Sequence, residues 1–503
     1  MRECGILLPI ASLPSKYGIG TFSREAFDFI DELKEAGQNY WQILPLGPTG
    51  YGDSPYQSFS AFAGNPYFID LEQLMRAGLL TQKECEEADQ GQDERTINYE
   101  AIYNSRFVVL RKAYERWKKK MGEKKKDISK FLEKGLCEET REYCFYAAVK
   151  KSFGEKNWSE WDEDIKQRKE LAVKKYQKEL ADDIQFYEFQ QIMFKKQWSQ
   201  LKQYAHMQGI RIIGDIPIYV AFDSADSWCH PELFQFDEKC RPISVAGCPP
   251  DGFSATGQLW GNPLYRWDYH EETGFAWWMR RMEFCFDLYD VVRVDHFRGF
   301  DEYYSIPAGE PTAMHGAWKK GPGISIFKKM KETFGNVDII AEDLGFLTPS
   351  VLKLLEDTGF PGMKVLQFAF DSREASNYLP YFYPHNCVVY TGTHDNDTIK
   401  SWFQELSPAD RKLAVNYMNN ADSSEKELPW DFIRLALASV ADLAVIPIQD
   451  YLGLGGEARI NLPSTLGGNW TWRMKKGEFT KEIRKRCREM NRLYGRGKRP
   501  WTA

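Results

Sequence analysis

Eight short apolar segments recur along the chain, and amphipathic helical patterns lie next to most of them. These segments are rich in β-branched residues, so each of them predicts a short buried strand. Repeated alternation of strand and helix predicts a parallel sheet, and eight such units predict a closed (β/α)8 barrel. The predicted strands lie at residues 5–10, 40–46, 210–217, 291–295, 338–343, 363–370, 387–391 and 443–449. Helical periodicity covers 23–38, 197–207, 275–288, 323–334, 349–357, 430–440 and 482–494.

Two long interruptions break this alternation. Residues 73–195 predict a mainly helical insertion after strand 2, because their Lys/Glu-rich tracts at 117–126 and 166–182 have helical periodicity and solvated charges. Residues 221–274, after strand 3, predict a loop-rich insertion over the active site, since a long irregular segment on that face is usually functional. We therefore expect a single catalytic barrel over residues 1–503 that carries both insertions, with no β-domain after the eighth helix.

Composition narrows the class of protein. The 66 Lys and Arg residues against 72 Asp and Glu residues give a net charge of −6, which provides no reason to expect nucleic acid as a partner. The ten cysteines are scattered without a Cys-x-x-Cys pair, which predicts reduced thiols in a cytoplasmic protein. The N-terminal residues lack a signal-peptide pattern, and Asp442 interrupts the longest apolar stretch, so we expect no membrane span.

Three carboxylates end predicted strands that are far apart in sequence: Asp295, Glu342 and Asp395. A carboxylate is costly in the buried middle of a strand but tolerated at the end, where the strand opens onto loops. In a parallel barrel the C-terminal strand ends converge on one face, which holds the active site. The pattern therefore predicts that the three acids meet in one pocket, although each one alone could be a structural ion pair.

The neighbours of these acids predict different charge states. Arg293 and Asp295 are two residues apart on a strand and share a face, so the arginine should keep Asp295 ionised. Glu342 leaves an apolar strand, and nearby negative charge should keep it protonated. One ionised and one protonated carboxyl group are what a retaining glycosidase mechanism requires. His296 and His394 could donate hydrogen bonds to sugar hydroxyls.

Three other readings use some of the same residues. Asp215, Asp295 and Glu342 could form a metal cage of oxygen ligands, but the fixed charge of Arg293 argues against a cation there. A sugar-binding protein without activity would not need the acid pair, and residues 453–456 form only a weak phosphate-loop signal because no Lys-Ser/Thr follows.

The chain resembles the amylomaltases, 4-alpha-glucanotransferases of glycoside hydrolase family 77 that are related to the α-amylases. The resemblance runs nearly from end to end. It rests on the three acid segments and on LPSKYGIG at 13–20, QILPLGPT at 42–49, SPY at 54–56, GDIPIYV at 214–220, PPDGFS at 249–254, QLWGNP at 258–263, ARINLP at 458–463 and Asn469-Trp470.

This resemblance implies Asp295 as nucleophile, Glu342 as general acid/base and Asp395 as transition-state stabiliser. It implies transfer of an alpha-1,4-glucan segment to the 4-hydroxyl of another glucan or glucose, with maltooligosaccharides and glycogen- or starch-type glucans as partners and no cofactor. An ordinary retaining α-glucan hydrolase is the nearest alternative. It also implies these substrate-binding residues: Ser54, Tyr56, Asp215, Asp251, Gln258, Trp260, Arg293, His296, His394 and Asn461.

The chain departs from the α-amylases after Asp215. Tyr219 and Val220 stand where those enzymes have an Asn-His pair, whose asparagine binds calcium in that family. We therefore expect no structural metal, and this departure agrees with the amylomaltase resemblance.

Overall fold

A computed structural model describes residues 2–50, 53–89, 93–123, 127–250, 254–345, 347–420 and 423–497. Eight parallel strands form a barrel, and their order around it is β6-β7-β8-β1-β2-β3-β4-β5. They are β1 (Glu3–Leu7), β2 (Tyr40–Gln42), β3 (Arg211–Pro217), β4 (Val291–Asp295), β5 (Ile339–Ala341), β6 (Gly362–Val365), β7 (Cys387–Tyr390) and β8 (Leu443–Pro447). The predicted (β/α)8 barrel is confirmed.

The barrel is nearly closed by pairing between the first and last strands in sequence. Strand β1 pairs with β8 from Glu3 opposite Leu443 to Leu7 opposite Pro447. The remaining junction, between β5 and β6, is joined by the Ala341 amide, which donates to the Pro361 carbonyl at 3.0 Å. The barrel therefore brings the C-terminal ends of all eight strands to one face.

Helices surround the barrel and fill the first predicted insertion. The α-helices outside the insertions are Arg24–Glu35, Ala276–Leu288, Ile324–Phe334, Pro349–Thr358, Ile399–Glu405, Pro408–Met418, Leu428–Ala438, Ile448–Leu452 and Lys481–Leu493. Between β2 and β3 lie Leu71–Arg76, Gln82–Asp89, Tyr99–Glu123, Ile128–Gly135, Glu138–Ser152, Glu163–Lys166, Glu170–Glu179 and Ala181–Met207. The domain boundaries at 73–195 and 221–274 stay a prediction.

The helix Pro349–Thr358 illustrates how local sequence sets these elements. The Thr348 hydroxyl accepts a hydrogen bond from the Val351 amide. Pro349 suits the first helical position, because a backbone N–H at that position would have no partner within the helix and proline lacks one. Gly359 adopts the left-handed conformation that ends the helix. Val351 and Leu354 are buried, so the helix presents its apolar side to the protein.

A second, antiparallel sheet lies in the segments that follow β3 and β4. Its strands are Ser244–Cys248, Gln258–Pro263, Glu302–Pro307 and Ala317–Lys320, and the helices Ala225–Cys229 and Trp267–Glu272 flank its first two strands in sequence. The sequence predicted irregular structure here, but the two inner strands pair along Ser244–Gly247 with 304–307. The pairing joins segments about sixty residues apart, which local periodicity does not reveal.

Several predicted strands were too long. Strand β1 ends at Leu7 and β2 at Gln42, whereas the sequence predicted ends at residues 10 and 46. Pro9 and Pro45 explain the difference, since proline has no amide to donate to a ladder. The segment 366–368, predicted as part of strand 6, is a single 3-10 turn. Ile448, predicted to lie within strand 8, begins a short helix.

No helix among the described residues is both long and apolar enough to cross a membrane.

Candidate active site

Asp215, Arg293 and Asp295 form one ion-pair network at the ends of β3 and β4. The register places Asp215 opposite Arg293 and Pro217 opposite Asp295. Nη1 of Arg293 lies 2.8 Å from both carboxylate oxygens of Asp215 and 3.0 Å from Oδ1 of Asp295. Asp215 and Arg293 are buried, whereas 31% of the Asp295 side chain is exposed. Asp295 is therefore the member of the network that a ligand can reach.

The buried arginine stays charged because of its two carboxylate partners. Burial lowers the pKa of Arg293, but the negative charges of Asp215 and then Asp295 outweigh this and hold its pKa well above the usual value. Burial raises the pKa of Asp215, and the Arg293 guanidinium opposes that shift. The short contacts with Arg293 favour an ionised Asp215.

Tyr56 covers the buried side of this network. Its hydroxyl donates to Oδ2 of Asp215 at 2.9 Å, and its ring stacks on His394 with centroids 5.2 Å apart and an interplanar angle of 16°. Trp470 lies 5.9 Å from both rings. Ser54 accepts the Tyr56 amide at 3.3 Å, so in this structure Ser54 stabilises the turn that carries Tyr56.

Glu342 directly follows β5 and sits beside Asp295. Its two carboxyl oxygens accept backbone amides, Oε2 from His296 at 2.7 Å and Oε1 from Leu344 at 2.8 Å. Burial, followed by the charge of Asp295, raises the pKa of Glu342 to about 7, although Arg293 opposes the shift. The predicted direction of this shift is confirmed. Glu342 is thus poised to gain or lose a proton near neutral pH.

His296 turns the chain sharply at the end of β4. Its backbone is left-handed, with φ 53°, which an L residue rarely adopts and which points to a constrained site. Burial lowers the pKa of His296 to about 4, so the ring is neutral at pH 7. Its Nε2 is buried and has no hydrogen-bond partner within the described ranges.

The second sheet contributes Trp260 and Gln258 to the same region. The Trp260 ring lies perpendicular to His296, with centroids 4.9 Å apart. Its indole nitrogen donates to Oε1 of Gln258 at 3.1 Å, which fixes the plane of the ring. Asp251, predicted with these two residues, lies outside the described residues.

Asp395 is held from two sides at the end of β7. Nδ2 of Asn461 donates to its Oδ1 at 2.6 Å, and Nε2 of His394 lies 3.4 Å from its Oδ2. The Asn461 amide also donates to the His394 carbonyl at 3.1 Å. Because 42% of the Asp395 side chain is exposed, a ligand can reach this carboxylate despite its two protein contacts.

Apart from Asp251, the predicted residues thus meet on the C-terminal face of the barrel, linked through Arg293, Tyr56, His394, His296 and Asn461. Sequence reasoning missed Trp470 as a site residue. The Asn469-Trp470 pair was a signal for it, since that pair recurs in the family resemblance.

The geometry also bears on a metal cage. Both oxygens of Asp215 contact Nη1 of Arg293, and Tyr56 donates to one of them. Across the ranges that the structure describes, no group of three or more His, Cys, Asp or Glu side chains could hold a metal ion. A cation beside Asp215 and Asp295 would face the guanidinium at close range.

Comparison with known proteins decides between the remaining readings. Residues 8–480 match the sequence profile of the 4-alpha-glucanotransferases, glycoside hydrolase family 77. The chain belongs to this family. A 4-alpha-glucanotransferase of Clostridium butyricum is 49% identical over 97% of this chain and 99% of its own length. One from Thermus thermophilus is 46% identical over 97% of this chain and 98% of its own.

A solved structure supports the same assignment. Amylomaltase from Streptococcus agalactiae, in complex with acarbose, has a TM-score of 0.95 and 40% identity, covering 99% of this chain and all of that one. The chain is therefore a 4-alpha-glucanotransferase that acts on alpha-1,4-glucans. The hydrolase and binding-protein alternatives are set aside by this family membership.

Proposed function

We propose that this 4-alpha-glucanotransferase works by a retaining double displacement, with Asp295 as nucleophile and Glu342 as general acid and base. The observation that carries the proposal is the contrast between the two carboxyl groups. Asp295 is paired with a permanently charged arginine, whereas the pKa of Glu342 is raised to about 7. One group is suited to attack and the other to proton transfer.

In the first step an oxygen of Asp295 forms a bond to C1 of the donor sugar while the glycosidic bond breaks. The proton of Glu342 moves to the departing oxygen, and a β-linked glycosyl ester of Asp295 results. In the second step the 4-hydroxyl of another glucan attacks C1, the ester bond breaks, and Glu342 takes the hydroxyl proton. Two inversions give net retention.

Asp395 is proposed to stabilise the transition state by binding a pair of sugar hydroxyls. Its carboxylate is 42% exposed although Asn461 and His394 contact its two oxygens, which supports this role. We assign the neutral His296 to a further hydroxyl of the same sugar, as the family resemblance implies. Trp260, beside His296, offers an aromatic face for a glucose ring.

Transfer to sugar, rather than to water, requires that the acceptor site exclude water. We assign this task to residues 247–260, because Trp260 and Gln258 lie at the edge of the catalytic groups. Donors and acceptors would be maltooligosaccharides and glycogen- or starch-type glucans. The cytoplasmic location and the absence of a cofactor stay predictions.

The test compares a natural donor with one whose leaving group needs no proton. Glu342→Gln should lower kcat/KM for maltotriose by about 100- to 10,000-fold, the usual range for a general acid. With α-maltotriosyl fluoride, kcat/KM for fluoride release should fall far less, because it reports only the steps up to departure of fluoride. Asp295→Asn should abolish turnover of both donors, because it removes the nucleophile.

Product analysis tests the acceptor. Maltotriose should yield glucose together with a ladder of longer oligosaccharides. A product mixture of shorter sugars alone would contradict the proposed transfer, and equal losses of Glu342→Gln on both donors would contradict its role as acid.

A further inference from the structure

One junction of the barrel is built differently from the other seven. Within the described residues, β5 and β6 share no paired ladder, and they are the two ends of the strand order. The Ala341 amide donates to the Pro361 carbonyl at 3.0 Å. The next contact is made by a side chain: the Met363 amide donates to Oδ1 of Asp343 at 2.6 Å. A carboxylate therefore replaces a backbone carbonyl at this seam.

The seam is shaped around this carboxylate. Asp343 is only 4% exposed, and its neighbour across the seam is Gly362. A Cβ atom at Gly362 would lie 2.5 Å from Oδ2 of Asp343, closer than real Cβ contacts come, so the carboxylate fits only beside a glycine. Burial raises the pKa of Asp343, and the Met363 amide opposes that shift, so the hydrogen bond favours the charged form.

Asp343 connects the two halves of the proposed catalytic machinery. It is bonded through one peptide to Glu342. Across the seam, Sδ of Met363 accepts a hydrogen bond from Nε of Arg293 at 3.4 Å, and Arg293 pairs with Asp295. The hydrogen bond of Asp343 thus fixes the end of β5 against β6. Strand β6 in turn contacts Arg293, the arginine that pairs with Asp295.

We propose that Asp343 is a positioning residue for proton transfer, which holds Glu342 in register with the scissile bond by anchoring the end of β5 to β6. It contacts no reacting atom, so it acts through Glu342. The proposal rests on the role of Glu342 as the acid. Loss of the anchor lets the Glu342 backbone shift, and a displacement of about 1 Å at a catalytic group costs on the order of 100-fold in rate.

The test uses Asp343→Ala with the same two donors. We expect kcat/KM for maltotriose to fall about 100-fold, because departure of the sugar needs a correctly placed proton. The kcat/KM for fluoride release from α-maltotriosyl fluoride should fall less than about fivefold, since fluoride departs without a proton. Asp343→Asn, whose side-chain oxygen can still accept the Met363 amide, should restore both values to within about fivefold of the wild type.

A matched control separates positioning from general damage. Asp450 is also a buried carboxylate near a strand end, and it accepts the Thr391 hydroxyl at 2.6 Å and the Ile399 amide at 2.9 Å. Asp450→Ala should lower kcat/KM for both donors by the same factor. If Asp343→Ala does not fold, Gly362→Ala displaces the carboxylate from the other side and should give the selective pattern.

The results for these variants distinguish the positioning role of Asp343 from the proposed mechanism itself. Equal losses on both donors in Asp343→Ala or Gly362→Ala, with Glu342→Gln remaining selective, would overturn the positioning role and leave the mechanism intact. Equal losses in Glu342→Gln would instead overturn the mechanism on which the inference depends. Failure of Asp343→Asn to restore activity would show that the charge, rather than the accepted hydrogen bond, is what matters.

Discussion

The proton affinity of Glu342 should change during the catalytic cycle. Its pKa of about 7 has two main causes, burial and the negative charge of Asp295. Formation of the glycosyl ester neutralises Asp295 but leaves the burial unchanged. Two unit charges about 5.5 Å apart, the separation that a retaining mechanism requires, interact by about 3 kcal/mol at an effective dielectric constant of about 20. Esterification should therefore lower the pKa of Glu342, which corresponds to an increase of its acid dissociation constant on the order of 100-fold.

The expected fall in the pKa of Glu342 suits its two proposed roles, as acid in the first step and as base in the second. In the free enzyme Glu342 must hold a proton, so kcat/KM for maltotriose should fall as the pH rises through about 7. In the glycosyl-enzyme Glu342 must be ionised to accept a proton. Its lowered pKa then keeps it ionised at neutral pH, and transfer to an acceptor should fall only at a clearly lower pH.

The assay measures the two steps separately. Steady-state rates with maltotriose at limiting concentration, from pH 5 to pH 9, report the first step. The glycosyl-enzyme is then loaded with α-maltotriosyl fluoride, and its transfer to glucose is followed by rapid quench over the same pH range. Loss of transfer as the pH falls through 7 would refute the argument, because Glu342 would then have one pKa in both states.

Four further outcomes follow from the site. Glu342→Gln should raise the free energy of unfolding by about 3 kcal/mol at pH 8.5 but little at pH 4, because the destabilising effect of Glu342 develops between the unfolded pKa of 4.5 and the folded value of about 7 and is complete above it; urea denaturation at both pH values checks this. Arg293→Met should cost about 3–5 kcal/mol of that free energy, since buried Asp215 loses its counter-charge; unchanged denaturation would contradict the ion pair. Asn461→Ala should lower kcat/KM about tenfold, because it frees Asp395 to rotate, whereas an unchanged value would remove Asn461 from the site. Treatment with EDTA should leave the transfer rate unchanged, and a loss restored by one added cation would revive the metal alternative.

The acids were predictable because strand ends are marked in the local sequence. Asp295 and Glu342 follow apolar β-branched runs, and the side-chain period of a strand places Arg293 on the face of Asp295. Their meeting then follows from the geometry of a parallel barrel. The contact of Asn461 with Asp395 joins positions 66 residues apart, and the family resemblance implied only that Asn461 binds substrate.

The junction between β5 and β6 and the second sheet could not be predicted from the sequence, for the same physical reason. Nothing in the sequence near Asp343 distinguishes a carboxylate that faces the active site from one that accepts a backbone amide on the next strand. That distinction depends on which strands lie at the incomplete junction, which is a property of the closed barrel. The short antiparallel strands likewise form only where distant segments pair, so local periodicity carries little of their signal.

The pairing of β1 with β8 constrains how the chain is made. Strand β2 follows β1 after about thirty residues, but β8 emerges from the ribosome more than 430 residues later. At about 5–20 residues per second, one edge of β1 waits roughly 20–90 s for its partner. During that time its amides and carbonyls form an open edge that other nascent chains can join. The barrel therefore completes its fold only near the end of synthesis, and its efficiency in the cell should depend on protection of that edge.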